Sequence, residues 1–125
     1  MKTILLFTSF FILSSCKSIS DKEFEIENGN LKAEFSTESE KYVKENASKL
    51  SDEKMLNSLD SIVEEYFINR NKKLAIKYIK TKSGVKRLNF LKPNFTKEEL
   101  KNLLKQVPES IKKDTNYIAL QKYIN

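Results

Sequence analysis

The sequence predicts a predominantly helical α+β domain, with a short β-hairpin followed by a small bundle of four or five helices. Three observations carry that expectation. Residues 23–35 alternate polar and apolar about an Asn28-Gly29 pair, apolar residues after Ser51 recur at three- and four-residue spacing, and caps or prolines separate those recurrences.

In order along the chain, Glu23-Phe24-Glu25-Ile26-Glu27 alternates, Asn28-Gly29 supplies a turn tolerant of positive φ, and Leu31, Ala33 and Phe35 alternate again. Phe24, Ile26, Leu31, Ala33 and Phe35 then share one face, which other elements must cover because two strands alone are marginal in water. Ser36 to Leu50 is polar apart from Tyr42-Val43 and reads as a loop or weak helix. Ser51 before Asp52 and Glu53 is an N-cap with acids in the first turn. Met55, Leu56, Leu59, Ile62, Val63, Tyr66 and Phe67 then make the strongest helical stripe in the chain. Asn69-Arg70-Asn71 breaks it; Leu74, Ala75, Tyr78 and Ile79 resume in a new phase to about Thr81, where Lys82-Ser83-Gly84 ends the helix. Val85 to Phe95 carries Leu88, Phe90 and Leu91 and stops at Lys92-Pro93-Asn94. Thr96 and Glu99 form a capping box ahead of Leu100, Leu103, Leu104 and Val107. Pro108 interrupts, and after Asp114-Thr115 a last helix offers Tyr117, Leu120, Tyr123 and Ile124. No period of about 34 residues recurs, which argues against a helical repeat array.

The opening segment concerns location. Met1-Lys2-Thr3 is a short basic tip, and Ile4 to Leu13 contains only aliphatic, aromatic or small hydroxyl side chains. A bilayer-spanning helix needs about 20 apolar residues, so this run suits the h-region of an export signal. Leu13-Ser14-Ser15-Cys16 resembles the lipobox of bacterial lipoproteins. That resemblance implies a signal peptide over 1–15, cleaved before Cys16, and a diacylglycerol on the Cys16 sulfur with further acylation of the new amino group. Two or three acyl chains, at about 0.8 kcal/mol per buried methylene, hold a domain on a membrane where one does so only marginally. The expected organisation is a signal peptide (1–15), a lipidated tether (16–22) and one small domain (23–125).

Cys16 is the only cysteine, so no internal disulfide forms and stability rests on packing. Charge is segregated: Asp21 to Glu65 holds 13 acids against 6 bases, and Tyr66 to Asn125 holds 15 bases against 4 acids. Arg70, Lys72, Lys73, Lys77, Lys80, Lys82, Lys86, Arg87 and Lys92 fall in a stretch without any acid. In a cytosolic protein such a block, interleaved with Tyr78 and Phe90, points to nucleic acid, but export and lipidation disfavour that partner. Near a membrane, Arg70, Lys72, Lys73, Lys77, Lys80, Lys86 and Arg87 are candidates for binding anionic lipid or polysaccharide. The alternative is a solvated helix face partly neutralised by the acidic first half.

Catalytic signals are sparse. The chain has no histidine, and its lone cysteine is assigned to the lipid, which removes the commonest base, metal ligand and thiol nucleophile. Gly29 and Gly84 are the only glycines, so no glycine-rich nucleotide loop exists. Glu23, Glu25 and Glu27 lie on the outer face of an alternating strand and Glu64-Glu65 flank a stripe, which solvation explains without a carboxylate pair in a cleft. No catalytic residue, metal or cofactor is expected.

Three stretches resemble the region just before the thioredoxin domain of TlpA-like thiol-disulfide oxidoreductase lipoproteins: "FEIENGNLKAEF", "EEYFINRNKKLAIKYI" and "FTKEELKNLLKQVPESIKKDTNYIALQKYI". The resemblance spans about residues 24 to 124. It implies that the first stretch ends a β-rich part and that the others are helices leading into a redox domain. Lys72 stands where that family usually has proline, and the chain ends at Asn125 where the thioredoxin fold is expected to begin. No active site is carried over. The expected role is a non-enzymatic, lipid-anchored envelope protein, a packing or interaction module whose hairpin face and Tyr117 to Ile124 helix offer protein-docking surfaces. The alternatives are the amino-terminal piece of such an oxidoreductase and a binder of anionic lipid or glycan.

Overall fold

The computed structural model describes residues 19–125; the signal segment and Cys16 lie outside them. The described residues contain helices and turns and no strand. Helix α1 spans Asp21–Asn46 and α2 Asp52–Val63. The latter continues without interruption through a π-helical stretch, Glu64–Arg70, into α3, Asn71–Lys77. Then come α4, Lys82–Leu91, a 3₁₀ turn at Lys92–Asn94, α5, Lys97–Leu104, a second 3₁₀ turn at Glu109–Ile111, and α6, Thr115–Ile124.

The expected hairpin is absent, and α1 takes its place. Ser20 and Glu23 form a capping box, the Ser20 hydroxyl accepting from the Glu23 N–H at 3.2 Å and the Glu23 carboxylate accepting from the Ser20 N–H at 3.0 Å. The inward residues are Phe24, Asn28, Leu31, Phe35, Ser39 and Tyr42, three or four apart, whereas Ile26 and Ala33 point to solvent. Alternation of Phe24 and Ile26 with glutamates is therefore incidental. The helical stripe was hidden because a polar residue, Asn28, occupies one of its inner positions. Gly29 has no positive φ and sits mid-helix with open space where a Cβ belongs. Gly29→Ala is accordingly expected to stabilise the protein by about 1 kcal/mol through helix propensity, read as a rise in melting temperature. A hairpin turn at this position predicts the opposite sign.

Two further boundaries move. Asn69-Arg70-Asn71 does not break the chain's helix, because the π-helical stretch takes up the change of phase that the apolar pattern records. Lys82-Ser83-Gly84 starts α4 instead of ending α3. Thr81 is its N-cap, accepting from the Gly84 N–H at 3.0 Å and donating to the Tyr78 carbonyl at 2.9 Å. The Thr96 and Glu99 capping box forms as expected.

Helix α1 runs antiparallel to the π-helical stretch and α3, pairing Phe24 with Tyr78, Glu27 with Lys77, Glu34 with Arg70 and Glu38 with Tyr66. It runs parallel to α4, where Asp21 meets Ser83 and Asn28 meets Arg87. The main core joins α3 to α6, with Ala75, Val85, Leu88, Leu100 and Leu120 wholly buried. Phe24, Leu74 and Tyr78 make a smaller cluster under α1. The stripe of α2, strong in the sequence, is only partly covered: Met55, Leu59 and Ile62 are half-buried, no residue of α2 is fully buried, and Leu56 is 61 % exposed. Leu120 and Ile124 are core residues, so of its large apolar side chains the Tyr117 to Ile124 helix exposes Ile118 and Tyr123 alone.

Candidate functional site

The most distinctive side chain is Arg87. It projects from the middle of α4 between α1 and the start of α3, where the side-chain Oδ1 of Asn28 accepts from Nη2 at 2.8 Å and the side-chain Oδ1 of Asn71 accepts from Nη1. Both asparagines are buried. Asn71 is itself oriented by donating from Nδ2 to the Tyr66 carbonyl at 2.7 Å. That carbonyl belongs to the π-helical stretch, a rare conformation concentrated at functional sites. The guanidinium carbon lies 5.6 Å from the centre of the Phe24 ring.

No carboxylate salt-bridges Arg87 among the described residues. Burial pushes its guanidinium pKa down, opposed only by the more distant Glu25, and an arginine in a protein keeps its charge regardless. A partly desolvated cation thus has two neutral acceptors and further N–H donors to satisfy. It helps line a cleft of about 500 Å³ whose walls are Phe24, Glu25 and Asn28 from α1, Phe67 from the π-helical stretch, and Ser83, Lys86 and Phe90 from α4. Phe90 is 79 % exposed and Phe67 55 % exposed. Behind the asparagine pair lies a smaller cavity of about 70 Å³, walled by Leu31, Phe35 and Tyr66.

The residues of the basic block do not converge on one surface. Arg70 pairs with Glu34 at 2.7 Å and Glu65 at 3.3 Å and stacks on Tyr66. Lys77 pairs with Glu27 at 2.5 Å. Lys72 donates to the Asn94 carbonyl at 2.7 Å and lies over the Phe95 ring. Lys73 shares a groove with Glu27, Glu34, Glu65, Arg70 and Lys77, which is mixed in charge, and Lys80 is exposed on the turn after α3. Lys86 and Arg87 alone among the named candidates line the aromatic cleft. The acidic and basic halves of the chain therefore face each other across α1 and α3. Asn28, Asn71, Phe24 and Phe67 were not expected as site residues; their signal is the asparagine inside the Phe24, Asn28, Leu31, Phe35 stripe, visible only once the helical period is recognised.

Electrostatics tie α1 to this site. The Ser83 N–H, 2.7 Å away, is the main reason that the Asp21 carboxyl titrates below its ordinary range, and hydrogen bonding from Lys77 does the same for Glu27. On acidification the unfolded chain takes up these protons first. Their contribution is fully present above the ordinary carboxylate values and is lost as pH falls through the lower folded-state values. Thermal stability is expected to hold from neutrality to about pH 5 and to fall below about pH 4, with a shallower fall in Asp21→Asn; a melting series by circular dichroism reads both.

Among the described residues no helix is long and apolar enough to cross a membrane, and no group of three metal-ligating side chains gathers. The chain matches no protein-family model, no curated protein and no solved structure. The resemblance to the TlpA-like lipoproteins thus stands on its three quoted stretches, and the first of them, expected as the end of a β-rich part, is helical here.

Proposed function

We propose that this chain is a non-enzymatic, lipid-anchored protein of the bacterial envelope, whose helical domain acts by binding. The observation that carries the reading is Arg87: a half-buried cation, set by two buried asparagines and with no salt-bridged carboxylate among the described residues, opens into an aromatic cleft. Such a group recognises an anion and transfers nothing. The lipobox-like Leu13-Ser14-Ser15-Cys16 places this domain only a few residues from an acylated Cys16.

Labelling of cells with a tagged palmitate tests the anchor. The wild-type chain is expected to carry label and to remain with the membrane fraction, and Cys16→Ser to carry none and to leave that fraction. An unlabelled wild-type chain that retains Met1 overturns the anchor. Turnover of a dithiol-disulfide reporter by the purified protein overturns the non-enzymatic part.

A further inference from the structure

We infer that the Arg87 cleft is a headgroup site for an anionic phospholipid of the membrane that holds the protein, with the phosphodiester on Arg87 and Lys86 and the acyl region against Phe67 and Phe90. This rests on the lipid-anchor reading above.

Three independent features converge on that ligand. First, the charge is complementary: two cations line the cleft and a single acid, Glu25, stands on its wall. Second, the exposed rings of Phe90 and Phe67 flank the guanidinium, so the cleft matches a molecule with an anionic group joined to an apolar body. Third is position. The α1 wall of the cleft begins at Phe24 and α1 itself at Asp21, while residues 16 to 20 reach at most about 18 Å even when fully extended. An acylated Cys16 therefore confines this end of the domain to the neighbourhood of the headgroups. A short tether also makes the second contact effectively intramolecular, so a weak headgroup site suffices to dock the domain. Arg70 of the π-helical stretch and Lys77 of α3 are engaged with α1 acids and contribute little to this face.

The chain contains no tryptophan, so Phe90→Trp installs a single emission reporter at the cleft rim. Ile118→Trp on α6, at a residue 43 % exposed, serves as a remote reporter. The acylated full-length mature protein is reconstituted in vesicles of phosphatidylcholine alone or mixed with phosphatidylglycerol. Tryptophan at position 90 is expected to shift to shorter wavelength and to be quenched by brominated acyl chains when phosphatidylglycerol is present, with the remote reporter unmoved. Arg87→Met lowers the docked-to-undocked ratio about five-fold, the factor one juxtamembrane cation contributes, and Glu25→Gln raises it. Raising salt towards 1 M undocks the domain as the Debye length contracts to about 3 Å.

Soluble glycerophosphoglycerol, the deacylated phosphodiester of phosphatidylglycerol, separates the whole lipid from its headgroup: competition at millimolar concentration assigns the recognition to the phosphodiester alone and overturns the acyl contact. A silent position 90 in vesicles with which the protein floats overturns the headgroup site and leaves the anchor standing, as would a shift produced instead by an envelope protein. Failure to float with either vesicle overturns the anchor. Equal movement of both reporters also overturns the site, because the contact is then not confined to this cleft.

Discussion

Gly84→Ala is expected to lower the melting temperature by about 15 °C, corresponding to about 3 kcal/mol of overpacking in a domain of this size. A Cβ at position 84 lies 1.9 Å from the Tyr78 carbonyl oxygen and 2.3 Å from its carbon. This obstacle is backbone, so no rotamer change relieves it. The Tyr78 carbonyl is also held in place by the Thr81 N–H and the Thr81 hydroxyl, each at 2.9 Å. Relief requires opening the turn between α3 and α4, which carries the wholly buried Ala75 and Val85 on its two sides. Ser83→Ala, at the half-exposed neighbouring position, keeps its N–H to Asp21 and is expected to leave the melting temperature within a few degrees of wild type. A tolerated Gly84→Ala would show that this turn is looser than its contacts imply.

The second large effect is expected from Asn71→Ala, and its comparison with Arg87→Met is the informative part. Asn71 supplies a donor to the Tyr66 carbonyl and an acceptor to the Arg87 guanidinium. Removing it leaves a backbone carbonyl and a partly desolvated cation short of partners, at a cost of about 3 kcal/mol. Arg87→Met removes the desolvated charge along with its hydrogen bonds. The freed Asn28 oxygen borders the cleft and the freed Asn71 oxygen the smaller cavity, and the methionine stem can still cover Phe24. Deleting a poorly compensated buried charge is far milder than stranding it, so a loss of about 1 kcal/mol is expected. Urea unfolding with an unchanged slope for both variants measures the difference. A loss for Arg87→Met equal to that for Asn71→Ala would assign Arg87 to holding the fold and remove the reason for placing a ligand there.

Legibility in the sequence followed from how each element is stabilised. The Thr96 and Glu99 box and the Leu100, Leu103, Leu104, Val107 stripe were readable because cap and apolar period agree locally, and all four stripe residues are buried. For α1 the local signals conflict: glutamates alternating with Phe24 and Ile26 imitate a strand, and Asn28-Gly29 imitates a hairpin turn. Asn28 is tolerated on the inner face only because Arg87 reaches it from α4. That contact is 59 residues distant in the chain, and no local pattern encodes it. Tertiary contacts with α3 and α4, through Phe24 on Tyr78 at 5.5 Å and the Glu27 and Glu34 pairs, hold the helix that propensity alone leaves undecided. The reverse holds for α2, whose apolar stripe is conspicuous in the sequence yet only half-buried among the described residues.

The helical bulk of the domain, the Thr96 cap and core stripe of α5, the reliance on packing without a disulfide, and the segregation of acids from bases were all written in the sequence. Helix periods and capping act within a few residues, so they are written where they act. That the acidic and basic halves lie against one another, that α1 is a helix, and that Arg87 opens into the cleft with no salt-bridged carboxylate among the described residues was settled by tertiary contacts. Those outcomes depend on which side chains meet across helices, and burial energies arise only when such distant surfaces come together.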